Sequence, residues 1–142
     1  MLLESKVALV TGAGQGVGQG IALALAAEGA AVAVSGRTLE KLELTCALLR
    51  ERGVDALPVV CDVKSAASLR SLVDEVIARF GRLDILVNNA QEVPLGTLEQ
   101  VSDDSFTAGW ESGPLATFRL MKLCRPHLKG CLLYTSPSPR DL

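Results

Sequence analysis

Val7-Ala-Leu-Val-Thr-Gly-Ala-Gly-Gln-Gly-Val-Gly18 is a short apolar run that empties into four alternating glycines. Residues 7–10 read as a buried strand, rich in β-branched side chains and closed by a glycine signal. The next segment, Ile21-Ala-Leu-Ala-Leu-Ala-Ala27, is made of good helix formers, and Gly29 supplies a C′ residue for its end. A strand, a glycine turn and a helix N-terminus in that order make a site for a pyrophosphate. Glycine lets bare backbone approach the anion, and the unpaired N–H groups and dipole of the helix favour negative charge. The spacing G-x-G-x-x-G fails, because counting from Gly12 puts Val17 in the last place, and no Gly-Lys-Ser/Thr closes a P-loop. The spacing that fits is Thr-Gly-x-x-x-Gly-x-Gly, at Thr11, Gly12, Gly16 and Gly18.

Around this stretch lie 142 residues, which the length prior reads as a single domain with room for a real core. A composition of 49% apolar and 21% charged residues suits a globular α/β domain. The net charge of −2 gives no reason to expect nucleic acid or an anionic membrane as a partner. Residues 1–6 lack the apolar core of a signal peptide, and the longest clearly apolar run, 21–27, is far short of a membrane span. A cytoplasmic location is the expectation. Cys46, Cys61, Cys124 and Cys131 show no C-x-x-C spacing and His127 stands alone, so neither a zinc site nor a disulfide framework is indicated. The thiols read as buried or incidental.

Further along, a strand-then-helix unit recurs with glycine punctuation. A second strand at 31–34 runs on to Ser35-Gly36-Arg37, and Thr38 is the candidate cap of a second helix. That helix places Leu39, Leu42, Cys46 and Leu49 on one face and stops at Gly53. A third strand at 56–61 contains Pro58, which is expected near its start. Ser65 can cap a third helix whose Leu69, Leu72, Val73, Val76, Ile77 and Phe80 follow helical spacing up to Gly81. Residues 83–87 form the fourth strand. This alternation predicts an α/β fold, a Rossmann-type doubly wound parallel sheet entered through right-handed crossovers. Its first strands should lie in the order 3-2-1-4, with a fifth strand after Gly130 extending it to 3-2-1-4-5. The expected domain is residues 1–130, an incomplete dinucleotide-binding unit, followed by residues 131–142 as a non-native or disordered tail.

Taken together, these motifs resemble the short-chain dehydrogenase/reductase family over residues 3–130. The resemblance implies an oxidoreductase exchanging a hydride between a nicotinamide and an alcohol or carbonyl. It implies a cofactor site made of Gly12, Gly14, Gln15, Gly16, Val17, Gly18, Arg37, Asp62, Val63, Asn89 and Ala90. At the end of the second strand many dinucleotide folds carry an acidic residue for the ribose 2′-hydroxyl. Here Gly36 and Arg37 stand there; a small residue beside a guanidinium leaves room for a 2′-phosphate and can bind it. NADP is therefore expected in preference to NAD, although Arg37 also reads as a solvated turn residue and Gln15 is not basic. In the family an Asp-Val pair after the third strand holds adenine, a role that falls on Asp62 and Val63; Asp62 also reads as a helix cap. Asn88-Asn89-Ala90 matches the family's Asn-Asn-Ala-Gly, with Gln91 where glycine is usual. The G-x-x-G-x-x-G spacing of the extended epimerases and dehydratases would need glycine at Gln15.

From Ser102-Asp-Asp104 a long helix should run toward Lys129, acidic at its start as the dipole prefers. The family's proton-relay asparagine falls on Gly113, and Gly113-Pro114 should kink the helix. Catalysis in the family uses Tyr-x-x-x-Lys with an upstream serine, where the lysine lowers the tyrosine pKa. The one tyrosine, Tyr134, is followed four residues on by Ser138, so no catalytic residue is assigned. Ser136 and Ser138 lie near the expected place of the catalytic serine. Cys131-Leu-Leu-Tyr-Thr-Ser-Pro-Ser-Pro-Arg-Asp-Leu142 leaves the family pattern and resembles translated read-through of a sequencing adapter; a short genuine Ser/Pro tail is the alternative. On this reading the chain is the cofactor half of a longer enzyme, marginal in stability by itself, whose full-length form is a homo-oligomer. A nucleotide-binding or interaction module without catalysis is the second reading.

Overall fold

The computed structural model describes residues 1–128. Among them four strands, β1 (Val7–Thr11), β2 (Ala31–Gly36), β3 (Ala56–Val60) and β4 (Ile85–Val87), form one parallel sheet in the order β3-β2-β1-β4. This is the Rossmann-type order anticipated from the alternating elements. The fifth strand, Tyr134, Ser136, Ser138 and the tail fall outside the described residues.

The central strand β1 feeds both faces, because successive side chains alternate. Val7 and Leu9 pack with α3 (Ala66–Phe80) and α5 (Ala116–Leu128), whereas Val10 packs with α1 (Gly16–Ala27) and α2 (Leu39–Glu51). That explains the unbroken apolar run: every position has a buried side to fill. Leu9 is fully buried, and such a side chain stabilises the fold by about 2 kcal/mol. Below the strand, Asp84 ties β1 to the segment before β4. Its buried carboxylate accepts the Val7 N–H at 2.9 Å and both Nε and a terminal nitrogen of Arg82 at 2.8 Å.

Local sequence accounts for most helix ends. Ser65 Oγ accepts the Ser68 N–H at 3.2 Å to open α3, and Gly81, with φ of 75°, closes it. Four details differ from expectation. Leu39 is 47% exposed and not on the buried face of α2, because it begins the helix beyond the carboxyl edge of the sheet; Thr45 joins Leu42, Cys46 and Leu49 inside instead. Thr38 holds the N-cap position of α2 without a side-chain cap bond. Pro58 sits at the centre of β3, which tolerates it because β3 is an edge strand among the described residues, paired with β2 on one side. β4 begins at Ile85, since Asp84 is occupied with Val7 and Arg82.

Past β4, Ser102 Oγ accepts the Ser105 N–H at 3.1 Å and opens α4 (Asp103–Trp110). The irregularity expected at Gly113-Pro114 takes the form of a π-helical turn, Glu111–Leu115, joining α4 to α5. Proline lacks the N–H that an α-helix would need, and the wider turn absorbs the missing bond, with Ala116 N–H donating to Glu111 O. No helix among the described residues is long and apolar enough to cross a membrane.

Candidate functional site

The carboxyl ends of the four strands open into one cleft of about 400 Å³. From the turn after β1 come Gly12, Gly14, Gln15 and Gly16; from β2, Gly36 and Arg37; from β3, Cys61, Asp62 and Val63; from β4, Asn89, Ala90, Gln91 and Glu92. Ser112 reaches it from the π-turn. Of the residues named from sequence, Val17 and Gly18 are not on its wall. Val17 is exposed in the first turn of α1, and Gly18 is buried beneath the glycine turn.

Gly18 acts through packing. A Cβ there would overlap the carbonyl oxygen of Gly12 and the Asn89 side chain, so α1 can approach the turn only as bare backbone. The turn is stitched at Ala13, whose N–H donates to Ser35 O at 3.1 Å and whose carbonyl accepts from Thr45 Oγ1 at 3.0 Å. Gln19 Nε2 in turn donates to Thr45 Oγ1 at 3.0 Å. Gln15 is the extended N-cap of α1; its side chain makes no cap bond, and no acidic residue stands in the first turn. The leading N–H groups of α1 therefore keep their partial positive charge for an anion.

Opposite, Thr11 Oγ1 accepts the N–H groups of Asn89 and Ala90 at 3.0 and 2.9 Å, and Asn89 Nδ2 donates to Gly12 O at 3.1 Å. One threonine and one asparagine thus lock the β4 loop to the glycine turn. After β3, Asp62 is not the cap of α3, a role Ser65 fills. Its Oδ1 accepts the Lys64 N–H at 3.0 Å, and its own N–H donates to Ser68 Oγ at 3.1 Å.

Charge converges on Glu92, whose Oε1 lies 3.1 Å from an Arg37 terminal nitrogen and 2.8 Å from Lys64 Nζ. The hydrogen bond to Glu92 holds the Lys64 pKa above its ordinary value, so the ammonium stays charged through the neutral range. The Glu92 N–H donates to the buried Ser112 Oγ at 2.7 Å. Gln91 and Gly113, the positions that depart from the family pattern, meet in space: a Cβ at Gly113 would lie 2.8 Å from Gln91 Nε2. The side chain at one position fills the room left by its absence at the other.

Thr45, Ser112, Lys64 and Glu92 were not singled out from sequence. Each is a single polar residue whose role depends on a partner from another strand end, and only the Lys64 position, directly after Asp62-Val63, carried a local signal. Cys46, Cys61 and Cys124 are buried free thiols whose pKa values burial raises, that of Cys124 to about 12, which keeps them protonated and unreactive at neutral pH. Cys131 falls outside the described residues. Among the described residues no group of His, Cys, Asp or Glu is arranged to hold a metal ion.

Comparison with known proteins agrees with this geometry. The family model described as short chain dehydrogenase matches residues 6–132. The chain belongs to the short-chain dehydrogenase family. This short-chain dehydrogenase chain is 40% identical over 136 residues to a 12alpha-hydroxysteroid dehydrogenase of Clostridium sp., a match spanning 90% of this chain and 52% of that protein. It is 35% identical over 131 residues to tropinone reductase-like 3 of Erythroxylum coca, spanning 89% of this chain and 49% of the relative. Among solved structures, a short chain dehydrogenase from Burkholderia cenocepacia in complex with NADP has a TM-score of 0.86 at 34% identity, covering 90% of this chain and 53% of that one. An NAD+-bound xylitol dehydrogenase has a TM-score of 0.85 at 35% identity, covering 90% and 50%. The chain spans about half the length of the curated relatives it matches. One of these solved neighbours holds NADP and the other NAD+.

Proposed function

We propose that this chain is the dinucleotide-binding half of an NADP-dependent oxidoreductase acting on a small alcohol or carbonyl. The observation that carries the reading is the end of β2, where Gly36 and Arg37 both line the cleft and no carboxylate stands on that strand end to repel a 2′-phosphate. Gly12, Gly14 and Gly16, with the uncapped N-terminus of α1 and its Gln15 and Val17, fit a pyrophosphate, and Gly18 allows the close packing this needs. Asp62 has a second carboxylate oxygen to offer the exocyclic amine of adenine, and the Val63 backbone lies beside it on the cleft wall. Asn89 and Ala90, fixed by Thr11, stand where the ribose would pass. The nicotinamide, when bound, supplies the hydride donor or acceptor; the residues of this chain bind and orient it.

The general acid and base of the family are not supplied by residues 1–142, which contain no Tyr-x-x-x-Lys. Exposed Phe106, Trp110 and Phe118 on α4 and α5 support self-association of the full-length protein.

Calorimetric titration of the chain with NADP and NAD tests the proposal. NADP should bind about tenfold or more tightly, and Arg37→Gln should erase that preference, as expected for loss of charge-assisted hydrogen bonds to a phosphate. Equal affinity for the two dinucleotides in the unmodified chain would overturn the NADP assignment.

A further inference from the structure

The carboxylate of Glu92 is the meeting point of two cations that come from different strand ends. Arg37 follows β2, Lys64 follows β3 and Glu92 follows β4. Both cations reach the same oxygen, Oε1, at 3.1 and 2.8 Å. From behind, Glu92 is anchored by its backbone: the N–H donates to Ser112 Oγ on the π-turn at 2.7 Å. That bond fixes the backbone at Glu92, and from there the side chain reaches both cations at the mouth of the cleft.

Two cations sharing one carboxylate oxygen form an underfilled arrangement. A guanidinium and an ammonium together carry more donors than that oxygen has lone pairs to accept. A phosphomonoester offers more oxygens and about twice the charge, and suits the same pair better. Arg37 and Glu92 both line the cleft at the end where the β2 and β3 loops meet. We propose that Arg37 and Lys64 together form a subsite for the 2′-phosphate of the adenine ribose, and that Glu92 is an internal anion competing with the phosphate for it. This rests on the NADP reading above and deepens it by adding a second cation and an antagonist.

The exposures fit a site built for exchange. The Arg37 side chain is 67% exposed, those of Glu92 and Lys64 33% and 28%, so solvent and salt weaken both ion pairs and an incoming anion can displace the carboxylate. Glu92 then sets the discrimination: it lowers affinity for 2′-phosphorylated nucleotides and leaves unphosphorylated ones untouched.

The test uses the 142-residue chain, low salt, and two probes that lack the nicotinamide, adenosine 2′,5′-bisphosphate and AMP. Glu92→Gln should tighten the bisphosphate by roughly five- to twentyfold with AMP unchanged, and Lys64→Gln should weaken the bisphosphate by a similar factor, again sparing AMP. Raising the salt should shrink both effects. If Glu92→Gln instead weakens AMP, the carboxylate serves the ribose hydroxyls and the proposal is overturned. If AMP binds but neither substitution changes the bisphosphate-to-AMP ratio, the subsite is overturned while the nucleotide site stands. Failure of the unmodified chain and of Glu92→Gln to bind either probe would remove the dinucleotide site itself and this proposal with it.

Discussion

The turn after β1 and the segment after β4 lie side by side on the wall of one cleft, yet different physics specifies them. In the first, the constraint lies in the backbone. Gly12 has φ of +63°, α1 rests on the turn through a glycine with no room for a Cβ, and Ala13 is bonded at both its N–H and its carbonyl. In the second, the path is set by side chains from elsewhere: Thr11 holds Asn89 and Ala90, Ser112 holds Glu92, and Gln91 fills the space over Gly113. A backbone constraint leaves its mark in the local sequence as glycine spacing. A side-chain pairing between positions 20 to 79 residues apart leaves no such local mark.

The sharpest way to break this contrast is Gly18→Ala. In an ordinary helix interior the change would stabilise by about 0.5–1 kcal/mol through reduced backbone entropy. Here the added methyl overlaps the Gly12 carbonyl, a backbone atom that cannot turn aside, and the overpacking cost of about 1–3 kcal/mol or more outweighs that gain. Net destabilisation of about 2 kcal/mol or more in urea unfolding, with loss of nucleotide binding, is the expected result. A variant at least as stable as the parent would show that the turn has slack.

The same division explains what could be read in advance. The strand order, the glycine turn and the caps of α3 and α4 follow from local signals, apolar runs and Ser or Gly at the right offsets, and the structure has them where those signals put them. The exposure of Leu39 and the central place of Pro58 depend on where the sheet ends, which helical and strand spacing do not carry. Glu92 is silent in the sequence for a related reason. One acidic residue in a loop reads as solvated, and its significance comes from Arg37 and Lys64, which lie 55 and 28 positions upstream (92 − 37 and 92 − 64). Asp84, too, is a charge inside an apolar run that only its partners, Val7 and Arg82, explain.

A double-mutant cycle on Gln91 and Gly113 sharpens the side-chain half of the comparison. The nearest obstacle to a Cβ at Gly113 is the tip of Gln91, which can move, so the crowding is milder than at Gly18. Gly113→Ala alone should come out near neutral, with a helix-propensity gain of about 0.5–1 kcal/mol offset by the crowding. In the Gln91→Gly background the gain should appear in full, giving a coupling of about 0.5–1 kcal/mol. Chemical denaturation of the four chains measures it. Additivity within about 0.3 kcal/mol would mean that the two departures from the family pattern are unrelated.

An effect of similar size comes from the backbone-defined half, at register partners. Thr11 and Ser35 lie opposite each other on β1 and β2, both buried, and their hydroxyls differ completely in use. Thr11 Oγ1 accepts two N–H groups of the β4 loop, whereas Ser35 Oγ is buried with no hydrogen-bond partner among the described residues. A buried hydroxyl without a partner gives up its hydration and recovers nothing. Ser35→Ala removes that penalty while leaving the Ser35 carbonyl to accept from Ala13 at 3.1 Å, so the glycine turn keeps its tether. Stability should rise by up to about 1 kcal/mol, read as a higher urea midpoint at unchanged slope, with nucleotide affinity unaltered. A loss of about 1 kcal/mol instead would mean that the hydroxyl is satisfied by a buried water, and that a side chain takes part in specifying this half of the site as well.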